Sequence, residues 1–96
     1  MYVIEWDFLP AVGREREFVD AYGVNGAWVR LFRQGQGYLG TELSAVPEKP
    51  GWYRTTDRWN SEADYLEFRS QFAAAYAHID SACEKLTEME IQVVQT

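Results

Sequence analysis

The stretch YRTTDRWNSEADY, residues 53–65, carries most of the side chains that could do chemistry. In an extended strand, alternation places Tyr53, Thr55, Asp57 and Trp59 on one face. Asp57 is the odd member of an otherwise apolar set. A carboxylate turned toward covering helices must be hydrogen-bonded or have a raised pKa, so Asp57 is either tied to a neighbouring backbone or helix end, or poised as a base. Tyr65 supplies a phenol that needs a partner when buried. His78 is the only histidine and could serve as a base or a haem ligand, but Tyr76 and Ile79 beside it define the apolar helix face, which turns His78 to solvent. One His and one Cys, Cys83, cannot assemble a zinc or iron site of ordinary spacing. Ser44, Ser61, Ser70 and Ser81 share that single His with no elbow motif around any of them, which argues against a serine hydrolase. Gly35, Gly37 and Gly40 lie between a helix and a strand, the reverse of the order a dinucleotide site needs, so no nucleotide cofactor is expected.

Composition narrows the field further. The 96 residues hold 9 Lys+Arg against 15 Asp+Glu, a net charge of −6, with 47% hydrophobic and 16% aromatic residues. Such a chain is too apolar for disorder and too regularly charged for a membrane span, and its length suits one domain over residues 1–96. An acidic balance with no basic cluster gives no electrostatic basis for binding nucleic acid. The lone cysteine cannot form an internal disulfide, and the first residues read as a strand rather than a signal peptide, so a cytoplasmic location is expected.

These side chains must be positioned by a small set of elements. Tyr2 to Leu9 reads as a strand stopped by Pro10, which cannot donate to a ladder. Two short helices follow, Arg14 to Tyr22 and Asn25 to Gln34, broken near Gly23 to Gly26. Tyr38 to Val46 and Trp52 to Trp59 form a hairpin across Pro47, Pro50 and Gly51. Ser61 is a good N-cap with Asp64 three residues on, and Tyr65, Phe68, Phe72, Tyr76, Ile79, Cys83 and Leu86 follow at helical intervals, which predicts one long helix. Glu88 to Val94 alternates as a last strand. The order βαββαβ predicts a ferredoxin-like α+β sandwich with an antiparallel four-stranded sheet and helices on one face, the first and third strands central. Alternation assigns Ile4, Trp6, Phe8, Leu39, Leu43, Tyr53, Thr55, Asp57, Trp59, Met89, Ile91 and Val93 to the helix side. The other face receives Glu5, Asp7, Glu42, Arg54, Arg58, Glu88, Glu90 and Gln92. That face is either wet or closed by a second copy of the chain.

The strings YGVNGAWVRLF, GYLGTEL and YRTTDRWNSEADYLEFRSQF resemble the antibiotic biosynthesis monooxygenase superfamily over nearly the whole chain. The characteristic piece is the strand-to-helix junction of Trp59, Ser61 and Tyr65. The resemblance implies a homodimer whose sheets pack into a dimeric α+β barrel, with a pocket between helices and sheet in each subunit. In members that oxygenate aromatic polyketides the pocket Trp and Tyr match Trp59 and Tyr65, the Asn four residues before the Trp falls on Thr55, and the helical Arg falls on Ile79. In the haem-degrading branch the key positions fall on Asp7, Phe68 and His78. Only His78 keeps its type there, so haem is not expected.

Taken with the resemblance, the candidate catalytic residues are Tyr65, Asp57 and Trp59, and the candidate substrate contacts are Thr55, Trp59, Tyr53, Trp28, Phe68 and His78. The leading expectation is a cofactor-free monooxygenase in which an aromatic phenol or quinol reacts directly with dioxygen. The alternative is a non-catalytic dimeric barrel that binds a small aromatic molecule or acts as an accessory protein, its pocket filled by its own aromatic side chains.

Overall fold

In the computed structural model, which describes residues 1–96, four strands alternate as the sequence requires and only one face of their sheet is covered. β1 (Tyr2–Pro10), α1 (Glu15–Tyr22), α2 (Ala27–Phe32), β2 (Tyr38–Ala45), β3 (Tyr53–Trp59), α3 (Glu62–Gln71), α4 (Ala73–Cys83) and β4 (Thr87–Gln95) follow in order, with a 3₁₀ turn at Glu84–Leu86. The sheet runs β2-β3-β1-β4 with antiparallel pairing throughout. This is the ferredoxin-like α+β arrangement that the element order predicts. Pro10 ends β1 opposite Thr87, where the ladder no longer needs its missing donor.

Three features depart from the expected alternation. The anticipated long helix is two helices, because Phe72 leaves helical geometry at φ −111° and ψ 27°. Successive intervals of four, from Phe68 to Phe72 to Tyr76, each advance the apolar stripe by about 40° around a helix of 3.6 residues per turn. The break absorbs that drift, so Phe68 is buried and Tyr76 still meets the core. In β2, Tyr38 pairs with Trp59 and Gly40 with Arg58, which leaves Leu39 as an extra residue, 56% exposed, while Tyr38 takes the inner position expected of Leu39.

β4 is the third correction. Phe8 pairs with Glu90 and Trp6 with Gln92, so these polar residues share the helix side, while Met89 opposite Leu9 and Ile91 opposite Asp7 face away. Val93 falls at an irregularity between the Gln92 and Val94 pairings and is also exposed. The cause is an irregularity at the start of the strand: Thr87 pairs with Pro10 and Met89 with Leu9, which leaves Glu88 as an extra residue and reverses the parity of Met89, Glu90 and Ile91 relative to Thr87.

The outer face settles its charges within the sheet. Arg54 grips Asp7 with two hydrogen bonds, at 2.7 and 3.1 Å, and Lys49 from the hairpin turn adds a third at 3.2 Å. Asp7 is 2% exposed, and the hydrogen bonds from Arg54, joined by Lys49, hold its carboxyl below the usual range against the opposing effect of burial. Arg58 reaches Glu42 at 2.6 Å and Thr56 reaches Glu5 at 2.7 Å. The apolar remainder of this face, Met89 and Ile91 at the β4 edge, stays uncovered in the single chain.

The core between sheet and helices is aromatic, and Trp59 is its fixed point. Its ring has no exposure and lies 4.9 Å from Phe68, 5.2 Å from Tyr38 and 6.0 Å from Phe32, centroid to centroid. Gly35 lets this cluster close on backbone, since a Cβ there would stand 2.7 Å from Phe68 and 3.0 Å from the Trp59 ring. Immediately after Trp59, the Ser61 hydroxyl accepts the Asp64 N–H at 3.1 Å and starts α3. Trp59→Ala should therefore cost about 3–5 kcal/mol of unfolding free energy, the range for emptying a well-packed aromatic site, and Ser61→Ala about 1 kcal/mol. Urea denaturation followed by far-ultraviolet circular dichroism checks both, and equal costs would contradict the assignment of Trp59 as the packing centre.

Candidate functional site

Where the Trp59 cluster ends, the helices and sheet stand apart and leave a cavity of about 270 Å³. Its floor is the inner face of the sheet, with Ile4, Trp6 and Phe8 from β1, Thr55 and Asp57 from β3, Thr41 from β2 and Glu90 from β4. Its roof is Tyr22 of α1, Trp28 and Phe32 of α2, Tyr65 and Arg69 of α3, and Tyr76 and Asp80 of α4. The exposed carboxylates Asp80 and Glu90 mark its solvent side.

Asp57 is the central polar group. Its Oδ1 accepts the Thr41 hydroxyl at 2.6 Å, and the Thr41 oxygen in turn lies 2.6 Å from the Tyr38 hydroxyl. Because Thr41 has one proton and gives it to Asp57, Tyr38 must donate to Thr41 whenever Asp57 is ionised. Oδ2 has no protein partner. Desolvation pushes the carboxyl pKa up to about 6, with the Thr41 hydrogen bond pulling the other way. The tie is to a side-chain hydroxyl rather than to the backbone or helix end expected from the sequence, and it leaves the second oxygen without a protein partner.

Tyr65 accepts a hydrogen bond from Arg69 Nη1 at 2.9 Å and sets its ring edge-on to Trp59 at 5.6 Å. With the guanidinium on its oxygen, the phenol's own proton has no protein acceptor and remains available for donation. Arg69 also covers the Tyr76 ring at 3.8 Å, bridging α3 and α4 across the break at Phe72. Tyr76 is held neutral by burial, its pKa pushed up to about 12.

Of the residues anticipated from sequence, Asp57, Tyr65, Thr55 and Trp28 meet in the cavity. Trp59 and Phe68 do not line it, since they are sealed in the cluster behind Tyr65. Tyr53 lies outside it, bonded to Glu15 at 3.0 Å and packed on Phe18. His78 is exposed on α4 and reaches neither the cavity nor another charged group. Ile79, on which the family's helical arginine falls, does not line the cavity, while Arg69 of the preceding helix does. Arg69, Tyr76 and Thr41 escaped the sequence reading. The spacing of Tyr65 and Arg69 is a signal for the arginine, because residues four apart stack on one helix face.

No family model matches the chain, and no curated protein matches it. Solved structures do. The cofactor-independent oxygenase SnoaB of Streptomyces nogalater superposes with a TM-score of 0.72 at 15% identity, covering 99% of this chain and 94% of that one. The chain has the fold of the antibiotic biosynthesis monooxygenases. A candidate antibiotic biosynthesis monooxygenase of Deinococcus radiodurans gives 0.73 at 15% identity over 97% of this chain and 88% of its own. The protein SO0527 of Shewanella oneidensis gives 0.69 at 16% identity over 99% and 89%. At these identities the likeness carries the fold of the monooxygenases and leaves their chemistry to be argued from the cavity.

The raised carboxyl has a thermodynamic consequence. Asp57 binds its proton more tightly folded than unfolded, so its contribution favours folding at low pH and is lost as pH rises from about 3.8 to about 6. Asp7 acts with the opposite sign in a lower window, since its depressed carboxyl contributes stability above 3.8 that disappears on acidification. The stability of Asp57→Asn relative to wild type should therefore grow between about pH 4 and pH 6.5 and then level off. Urea denaturation across that range measures it, and a difference independent of pH would mean that Asp57 is not raised.

Proposed function

We propose that this chain is a cofactor-free oxygenase of an electron-rich aromatic phenol or quinol. The observation that carries the reading is the aromatic-lined cavity in which the carboxyl of Asp57 is raised to a pKa of about 6 and keeps a free oxygen. At neutral pH such a group is a ready base, and its conjugate acid is close enough in strength to return the proton. The shared fold with a cofactor-independent oxygenase supports the reading.

In this mechanism the substrate ring lies among Trp6, Phe8, Trp28 and Tyr76, and Asp57 Oδ2 removes a hydroxyl proton. The anion's charge spreads to a ring carbon that still carries hydrogen. One electron passes to dioxygen, the two radicals recombine into a carbon–oxygen bond, and the resulting peroxide takes a proton from Tyr65. Breaking the O–O bond with loss of the carbon's remaining hydrogen gives a carbonyl and water, so one oxygen atom enters the product and the other leaves reduced. Arg69 stabilises the anionic oxygen, and the low-polarity walls keep bulk water from competing for it. Trp59 has no direct part in this scheme and acts by holding Tyr65.

We also propose that two copies pair through the outer sheet face. Arg54 and Arg58 on this face are already matched within the chain, so the drive comes from the uncovered Met89 and Ile91 on the β4 edge of the same face. A second reading, an aromatic-binding barrel without chemistry, is favoured by the sealed position of Trp59.

Oxygen uptake with anthrone-like and quinol substrates, with no flavin, metal or nicotinamide added, tests the enzyme. Tyr65→Phe and Asp57→Asn should each lower turnover by about 10²- to 10⁴-fold while folding survives. Equal rates in wild type and variants would remove those residues from the mechanism, and no uptake with any substrate would favour the binding barrel. Light scattering on a sizing column should give twice the chain's 11.1 kDa, and Ile91→Lys should shift it to monomer.

A further inference from the structure

Tyr38 and Thr41 are three residues apart, so in a regular strand their side chains would point to opposite faces of the sheet. In β2 they point to the same one. The extra residue at Leu39 puts Tyr38 on the inner side, opposite Trp59, while Thr41 faces Asp57 directly across the strand pair. Gly40 completes this bulge at φ 145°, a backbone conformation that residues with a side chain rarely adopt. The result is a line of three polar groups, with the Tyr38 hydroxyl 2.6 Å from the Thr41 oxygen and that oxygen 2.6 Å from Asp57 Oδ1.

The line leads out of the cavity. Thr41 and Asp57 line it and Tyr38 does not, its ring being packed on Phe32 at 5.7 Å and on Trp59 at 5.2 Å. Burial raises the Tyr38 phenol above its ordinary pKa, with Thr41 and the charge of Arg33 opposing, so it stays a neutral donor. With Tyr38 donating to the Thr41 oxygen, the one Thr41 proton is left for Asp57. The other titratable or charged groups around the cavity are Tyr65 and Arg69 of α3, Tyr76 and Asp80 of α4, Tyr22 of α1 and Glu90 of β4. None of them hydrogen-bonds to Asp57, whose side chain is held by Thr41 alone.

We propose that Tyr38 and Thr41 are positioning residues for the base, the bulge aiming the Tyr38 hydroxyl so that Thr41 holds Oδ1 and leaves Oδ2 to take the substrate's proton. The inference rests on the reading of Asp57 as the base, and it names the residues that aim it. As the Oδ2–H bond forms, the substrate's O–H bond breaks, its electron pair stays on the substrate oxygen, and the Thr41 hydrogen bond to Oδ1 is kept. A purely structural role accounts for less. An apolar side chain at position 57 would pack under the same helices without the desolvation that burdens the carboxyl, and would need neither hydroxyl.

Carbon-13 NMR of the full chain labelled at aspartate carboxyls follows the titration of Asp57 with no substrate present, its resonance assigned with Asp57→Asn. Thr41→Val should move the midpoint from about 6 to about 7 or above, because a hydrogen bond to the charged form is lost. Thr41→Ser should bring it back near 6, and Tyr38→Phe, which keeps the ring on Trp59, should raise it by a smaller step. In oxygen uptake the acid limb of kcat should move in the same order, with KM unchanged in Tyr38→Phe because that ring lies outside the cavity. A midpoint unmoved in Thr41→Val or in Tyr38→Phe overturns the proposal. So does a Thr41→Ser variant that titrates like Thr41→Val, or an acid limb that does not follow the midpoint. Midpoints that move as expected in a protein that oxygenates no substrate would overturn Asp57 as the base, and with it the catalytic meaning of the relay, while the hydrogen-bonded line itself stands.

Discussion

Trp59 is enclosed on every side, and most of the molecule is arranged around that fact. It is the last residue of β3, it meets α2 through Phe32, the start of β2 through Tyr38 and α3 through Phe68 and Tyr65, and Gly35 gives it room. A ring of this size excluded from water contributes several kcal/mol to a small domain whose total stability is about 5–15 kcal/mol. Its position therefore decides where the helices can sit. It also decides where they cannot sit, because the cavity begins at Tyr65, on the far side of the same cluster.

Two aspartates on the sheet show how a single residue type is given different work by its surroundings. Asp7, on the outer face, is gripped by Arg54 and Lys49, and its charge is a structural fixture. Asp57, on the inner face, has one hydroxyl for company, and burial holds it near the point of protonation. The difference follows from parity: odd residues of β1 and odd residues of β3 face opposite ways once the strands pair Ile4 with Asp57 and Asp7 with Arg54. The carboxylate with a guanidinium beside it supports the fold, and the one without is free for chemistry.

The element order, the sheet topology, the Ser61 cap and the inward position of Asp57 were legible because each follows from a local rule: alternation, turn chemistry or a capping side chain. The losses have a common physical origin. Alternation cannot see an extra residue in a strand, so Leu39 was placed inside where Tyr38 belongs. Nor can it see the second extra residue, Glu88, which turns Met89 and Ile91 to the outer face after Thr87. Helical spacing alone could not reveal the interruption at Phe72, and with it the fact that Arg69 and Tyr76 come from different helices. In the site, the residue types with an evident chemical role were found, while the partners that tune them depend on contacts across distant elements. Trp59 and Phe68 were assigned to the pocket because they are aromatic and nearby, but their packing energy holds them in the core.

The interruption at Phe72 makes the roof of the cavity two separate plates. α3 carries Tyr65 and Arg69, α4 carries Tyr76 and Asp80, and the guanidinium of Arg69 lies against the Tyr76 ring across the seam. Beyond the chain itself and the ring contact of Phe68 with Phe72 at the break, the plates are joined on the cavity side by this cation–ring contact. A change in the reach of either side chain would alter the size of molecule admitted while leaving the ring of Trp59 covered by Phe32, Tyr38 and Phe68.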